Sequence, residues 1–367
     1  MNFRAAVLNR VGEPLTIDTL DMAALQPHDV LVRIKATGLC HTDLEVMQGS
    51  LVYPTPIVLG HEGAGTVEDV GEAVTRVKRG DSVVVSWNPH CGHCFYCERG
   101  LPILCEPFKA TEPKGHLMDG TSRMTRDGAK VHHFFTTSTH AEYTIVTESG
   151  AIPVPSELPF DRACIIGCGV MTGIGAVVRK ARVAAGASVA VIGCGAVGLN
   201  AIQGARLVNA SRIIAVDVTP ARLEQAMQFG ATDGVNAADA DVAADIRALT
   251  NGRGADYVFE SAGHKTAFRL SVEAVRPGGQ VVWLGKINVD QEVAFRWGSL
   301  MGEKRIVRSS YGDARPSRDF PWIAHEYLEG RVKLDELITR RIRLDEINEG
   351  FGALARGEGI RTVVQFD

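Results

Sequence analysis

The stretch ASVAVIGCGAVGLNAIQGARLVNASRIIAVD, residues 187–217, reads as strand, glycine turn, helix and strand in unbroken succession. ASVAVIG (187–193) is a short continuous apolar run, the mark of a parallel strand covered on both faces. A helical pattern runs from Ala196 to about Asn209, and RIIAVDV (212–218) is a second apolar strand. Between them GCGAVG (193–198) matches G-x-G-x-x-G. With 39 glycines in 367 residues the match alone is weak. Its place between a strand and a helix gives it a physical reading. Gly193 permits the tight turn, Gly195 lets backbone approach a pyrophosphate, and Gly198 lets helix pack on strand. The N–H groups of the helix N-terminus would hold the phosphates. Asp217 ends the second strand, where a carboxylate accepts hydrogen bonds from the adenosine ribose and repels a 2′-phosphate. That pattern predicts NAD rather than NADP.

Working outward, PARLEQAMQFGA (220–231) is a helix ending at glycine, and ADYVFES (255–261) and GQVVWLG (279–285) are two more buried strands. Strands alternating with helices predict a doubly wound α/β domain over residues 171–315. The N-terminal part differs. DVLVRIKATG (29–38), GAGTVEDVG (63–71), DSVVVSW (81–87) and HAEYTIV (140–146) alternate or run apolar over strand lengths. They predict an irregular, mostly antiparallel β domain over residues 1–170. Residues 316–367, ending in the strand-like TVVQF (362–366), return to it. The stretch from Phe108 to Thr139 is polar and reads as a long surface excursion.

Composition narrows the function. A length of 367 residues calls for two domains. A net charge of −4, with no run of Lys or Arg, argues against nucleic acid and anionic membranes as partners. The most apolar stretch, ACIIGCGVMTGIGAVV (163–178), is shorter than a membrane span and carries four glycines, which predicts a buried segment. The N-terminus shows no apolar signal region, so a cytoplasmic location with reduced cysteines is expected.

Reduced cysteines point to metal. CGHCFYCERGLPILC (91–105) spaces Cys91, Cys94, Cys97 and Cys105 as C-x2-C-x2-C-x7-C. Four thiolates close a tetrahedron around zinc and leave no position for water or substrate, so this is a structural site. A catalytic zinc needs three protein ligands and one open position. Candidates lie in GLCHTD (38–43), LGHEGAG (59–65) and IIGCGVMTG (165–173). Read singly, a Cys in an apolar run is more often a small core side chain than a ligand, and a lone His is similarly ambiguous.

The ordered set GLCHTD, GHEGAGTVEDVG, the four-cysteine run, GCGVMTG, GCGAVG with Asp217, and the closing GIRTVV resembles zinc-dependent alcohol dehydrogenases of the medium-chain dehydrogenase/reductase superfamily, over essentially the whole chain. The resemblance implies a GroES-like catalytic domain and a Rossmann coenzyme domain with the active site in the cleft between them. It implies two zinc ions per chain, with Cys40, His61 and Cys168 as catalytic ligands. Thr42 would begin the proton relay, Asp43 would orient His61, and Glu62 would lie beside the zinc as an exchanging ligand. His41 and Arg361 match pyrophosphate contacts, while Thr172 and Val197 match contacts around the nicotinamide. Trp87, Phe134 and Phe135 fall near segments lining the family's substrate cleft, which implies a bulky or aryl primary alcohol, interconverted with its aldehyde. One departure is clear: Glu45 stands where liver-type members carry the histidine that passes the proton to solvent. The segment between Cys105 and His140 resembles the insertion of longer, liver-like members and implies a homodimer, with a tetramer as the alternative. Competing activities are a thiol-dependent formaldehyde dehydrogenase and a polyol dehydrogenase. Outside enzymes, the alternative is an NAD-binding scaffold or sensor.

Overall fold

Six parallel strands order the second half of the chain as Asp233–Asn236, Arg212–Asp217, Ser188–Ile192, Ala255–Glu260, Val275–Trp283 and Arg305–Arg308. This is the 3-2-1-4-5-6 order of a dinucleotide-binding sheet, with its reversal point beside the first strand. The computed structural model describes residues 1–238 and 241–367. The chain divides into two units, Met1–Cys168 with Arg315–Asp367, and Gly169–Ala314.

In the second unit the central strands are buried along their length, as their unbroken Val/Ile/Ala runs require. The helix Ala196–Leu207 packs against the preceding helix Met171–Gly175 through small residues. A Cβ on Gly173 would stand 2.4 Å from the Val197 carbonyl oxygen, and one on Gly204 would stand 3.0 Å from Val177 Cβ. The apolar stretch noted above lies within one continuous helix, Phe160–Ala181, which has the length and hydropathy to cross a membrane. Most of it is buried inside the protein, as a core helix is.

The first unit holds two sheets. Strand Asp29–Gly38 is the centre of the larger one. It pairs antiparallel with Glu62–Val70, with Tyr143–Thr147 and with Arg361–Gln365. The C-terminal strand thus returns to the N-terminal sheet, and Ile338–Ile342 adds to it in parallel.

The smaller sheet is a closed barrel of Asn2–Leu8, Thr16–Met22, Met124–Arg126, Ala129–His133 and Ile57–Val58. It overturns the reading of Phe108–Thr139 as a surface excursion. Two of its strands form a hairpin about Asp127-Gly128, both with positive φ, the chemistry of a two-residue hairpin turn. Phe108, Leu117, Met124, Val131 and Phe134 are buried, and Leu117, Met124 and Val131 share one cluster with Phe3, Val7 and Leu20. The segment's polarity is itself internal. Arg123 is buried with its Nε donating to Asp29 Oδ2 at 2.7 Å and its Nη2 to Asp119 Oδ2 at 2.5 Å. A buried cation satisfied by two carboxylates makes a polar sequence compatible with an interior position.

Candidate active site and coenzyme site

Cys40 caps the N-terminus of the helix His41–Gln48, directly after the central strand of the larger sheet. Asp43, in the first turn of that helix, is fully buried. Its Oδ2 accepts the Cys40 N–H at 3.1 Å and its Oδ1 accepts the Gly60 N–H at 3.0 Å. The same Oδ1 lies 3.2 Å from His61 Nδ1. One carboxylate thus ties together the segments carrying two ligands and fixes the imidazole so that Nε2 is the nitrogen left to bind metal. Cys168 arrives from a third segment, the π-helical turn Ile166–Val170, a wide turn of a kind common at functional sites.

The ligand atoms of Cys40, His61, Glu62 and Cys168 all lie within 4.8 Å of one another. Donors on a zinc tetrahedron with Zn–S bonds near 2.3 Å stand about 3.8 Å apart, so this set fits the ion. The two thiols act on each other: the hydrogen bond from Cys168 holds Cys40 well below the usual thiol range, and that same bond together with burial drives Cys168 up. Burial opposes a proton on His61, but Asp43 and Cys40 carry its pKa upward. Burial pushes Glu62 up to about 7, opposed by Arg361. The Arg361 guanidinium stands 3.2 Å from Glu62 Oε1, and Nη1 donates to the Leu39 carbonyl. Among the described residues neither Glu62 oxygen has a hydrogen-bond partner of good geometry, as suits a carboxylate beside a cation site.

Thr42 Oγ1 lies 3.8 Å from Cys40 Sγ, so the hydroxyl borders the ligand set. His41 is exposed on the same turn, and Glu45 follows one turn later. Phe134 and Phe135 each bring a ring centroid to 5.6 Å from that of His61. Trp87 stacks obliquely on Phe135 at 5.0 Å, and Tyr53 meets Phe134 edge-on at 5.0 Å. The loop carrying these rings takes positive φ at Phe135, Thr136 and Ser138. Its bonds hold that conformation: Thr137 Oγ1 donates to Gly60 O, and Ser138 Oγ to Val58 O. Tyr53 escapes sequence reasoning, since a single aromatic in VYPTP carries no periodicity.

The Sγ atoms of Cys91, Cys94, Cys97 and Cys105 also lie within 4.8 Å of one another, and none of the four is in a disulfide. The Cys91 N–H donates to Cys105 Sγ at 3.3 Å. Local N–H groups, led by that of Glu106, hold Cys94 down at about 6, whereas burial pushes Cys97 up to about 12. The fit is to a tetrathiolate metal with every corner occupied.

The coenzyme motif folds as its glycines require. Gly193 has φ +91°, and a Cβ there would lie 2.7 Å from the Ala262 nitrogen. A Cβ on Gly198 would lie 1.8 Å from the Gly193 oxygen, while one on Gly195 would meet nothing within 4 Å, so that face is open to a ligand. Asp217 is buried. Its Oδ2 accepts the Cys194 N–H at 2.8 Å and its Oδ1 the Thr219 N–H at 2.9 Å. Val197 and Thr172 are half-buried, Val197 in the first turn after the glycine turn and Thr172 on the helix packed against it.

Comparison with known proteins agrees with this geometry. Residues 26–156 match the alcohol dehydrogenase GroES-like domain, and residues 196–329 match the zinc-binding dehydrogenase domain. The chain is 39% identical to alcohol dehydrogenase class-3 of Myxine glutinosa, over 99% of this chain and 97% of that one. It is 39% identical to an S-(hydroxymethyl)glutathione dehydrogenase of Synechocystis sp., over the full length of both. The benzyl alcohol dehydrogenase of Acinetobacter calcoaceticus superposes with a TM-score of 0.95 at 32% identity, covering 100% of both chains. With its GroES-like and Rossmann architecture and its clustered thiol and imidazole ligands, the chain belongs to the zinc-dependent alcohol dehydrogenases of the medium-chain dehydrogenase/reductase superfamily.

Proposed function

We propose that this enzyme interconverts an aryl or other bulky primary alcohol and its aldehyde with NAD as coenzyme, using one catalytic and one structural zinc per chain. The observation that carries the substrate class is the half-buried ring pair Trp87 and Phe135, with Phe135 beside His61 and the buried rings of Phe134 and Tyr53 packed behind it. Flat rings favour a flat apolar substrate through area burial and edge or offset contacts. When bound, zinc supplies Lewis acidity that lowers the pKa of an alcohol hydroxyl, and NAD supplies the hydride acceptor. Cys40, His61 and Cys168 would hold the metal, while Asp43 would keep His61 in the metal-binding tautomer. Thr42 Oγ1 would accept the alcohol's proton while releasing its own to water, so that the hydroxyl relays one proton and keeps none. Glu62 and Arg361 balance charge behind the ligands, and Arg361 and His41 are the candidates to contact the coenzyme pyrophosphate.

For the coenzyme, the buried carboxylate of Asp217 supports NAD. A homodimer is supported by the outer side of the edge strand Arg305–Arg308, which pairs with no strand among the described residues and near which Trp297 and Met301 are exposed. All eight cysteines are free, which supports a reducing, cytoplasmic setting. A second reading, oxidation of a thiol–formaldehyde adduct, is favoured by the 39% identity to the S-(hydroxymethyl)glutathione dehydrogenase. An NAD-reduction screen with benzyl alcohol, ethanol, and formaldehyde with and without glutathione separates the two. The aryl reading requires the highest kcat/KM on benzyl alcohol. A rate on formaldehyde that appears only with glutathione and exceeds the benzyl rate replaces it with the second.

A further inference from the structure

Glu260 is a fully buried carboxylate that the metal site does not use. It ends the strand Ala255–Glu260, in register with Ile192 on one side and Trp283 on the other. That puts it at the carboxyl edge of the central strands, under the crevice where this sheet order places a dinucleotide. Its Oε1 accepts the Gly263 N–H at 2.7 Å, and its main-chain oxygen accepts the Leu284 N–H at 2.8 Å and the Gly285 N–H at 3.0 Å. Its Oε2, without a hydrogen-bond partner among the described residues, is turned toward Gly285. A Cβ on Gly285 would stand 2.5 Å from that oxygen and 2.4 Å from the Gly263 nitrogen. Burial pushes the carboxyl up to about 7, against the N–H groups of Gly263, Ala262 and Gly285 and the Arg308 guanidinium.

The same loop is tied to the glycine turn by another residue. Ser261 donates its N–H to Ile192 O at 2.8 Å and its hydroxyl to Gly193 O at 2.7 Å. Ser261 thus serves the turn that holds pyrophosphate, while the Glu260 side chain serves the loops after the fourth and fifth strands, which belong to the second mononucleotide half. A carboxylate buried at such cost has a use beyond filling space.

We propose that Glu260 is a positioning residue for the nicotinamide half of the coenzyme. Through Gly263 and Gly285 it sets the backbone against which the nicotinamide ring lies. The inference rests on the NAD reading above. The test titrates the zinc-loaded full-length enzyme and its Glu260→Gln variant with NADH and with ADP-ribose, which lacks the nicotinamide. Loss of a charge-assisted bond should raise the NADH Kd about tenfold and leave the ADP-ribose Kd within about twofold. Zinc content should not change. Equal weakening of both ligands, or of neither, overturns the proposal. Should Glu260→Gln fail to fold, Gly285→Ala, which drives a methyl against Oε2, must show the same split, and an unsplit result overturns the proposal. A wild-type enzyme that binds no NADH overturns the NAD reading itself and takes this inference with it.

Discussion

Asp43 Oδ1 stands 3.2 Å from His61 Nδ1, both side chains are buried, and the same carboxylate accepts the main-chain N–H of Cys40. The carboxylate is therefore a splint between two candidate metal ligands. Asp43→Asn keeps its shape and removes its charge. It is expected to weaken retention of the catalytic zinc by about 10–100-fold, with the four-cysteine zinc unaffected. Zinc release to a competing chelator checks this, and equal loss from both sites would argue against it.

The proposed structural zinc at Cys91, Cys94, Cys97 and Cys105 predicts a separate duty for that cluster. Cys94→Ser opens a closed four-thiolate set and is expected to lower stability or assembly by several kcal/mol. The protein that does fold should keep its hydride-transfer rate. Intact stability with selective loss of that rate would reverse the division between the two metal sites.

Two N–H groups fix the Asp217 carboxylate, and the NAD reading gives it a selective task besides that structural one. Asp217→Asn removes the charge that repels a 2′-phosphate and retains an acceptor oxygen. The ratio of kcat/KM for NADP over NAD is expected to rise about tenfold, the scale of one partly screened charge repulsion. An unchanged ratio would remove Asp217 from coenzyme selection.

Glu112 gives a pH signature. Burial pushes its carboxyl from the ordinary 4.5 up to about 7. The folded protein then holds a proton that the unfolded chain releases. Its contribution is full below about 4.5 and is lost as pH rises through about 7. Glu112→Gln lacks this dependence and is expected to be more stable than wild type at pH 8, by roughly 1–3 kcal/mol, with the gap closing toward pH 5. Denaturant unfolding at the two pH values measures it, and a gap independent of pH would contradict it.

Much of the coenzyme half is legible in sequence because its signals are local. The strand before Gly193, the glycine turn, the helix from Ala196 and the acid at Asp217 follow one another within 31 residues. The metal site is not local. Cys40 lies at a helix cap, His61 before a strand and Cys168 in a π-turn, so only the family resemblance groups them. The barrel segment was hidden by its polarity: Arg123, His133 and Thr136–His140 are buried yet satisfied largely by internal hydrogen bonds. An Asp-Gly pair at 127–128 is a hairpin-turn signal that the segment's polarity outweighed, and the structure places the hairpin there. Glu260 carried no signal, since a single acid at a strand end looks like any solvent-facing residue until its burial is known.

The proposed open metal site is built from Cys40, His61 and Cys168 and is distinct from the four-cysteine cluster. Zinc stoichiometry combined with NAD reduction on benzyl alcohol in Cys168→Ser tests it most directly. The account predicts two zinc ions per chain in wild type. In the variant it predicts one, with no measurable turnover and a folded far-UV spectrum. Two zinc ions and wild-type kcat in Cys168→Ser would contradict it.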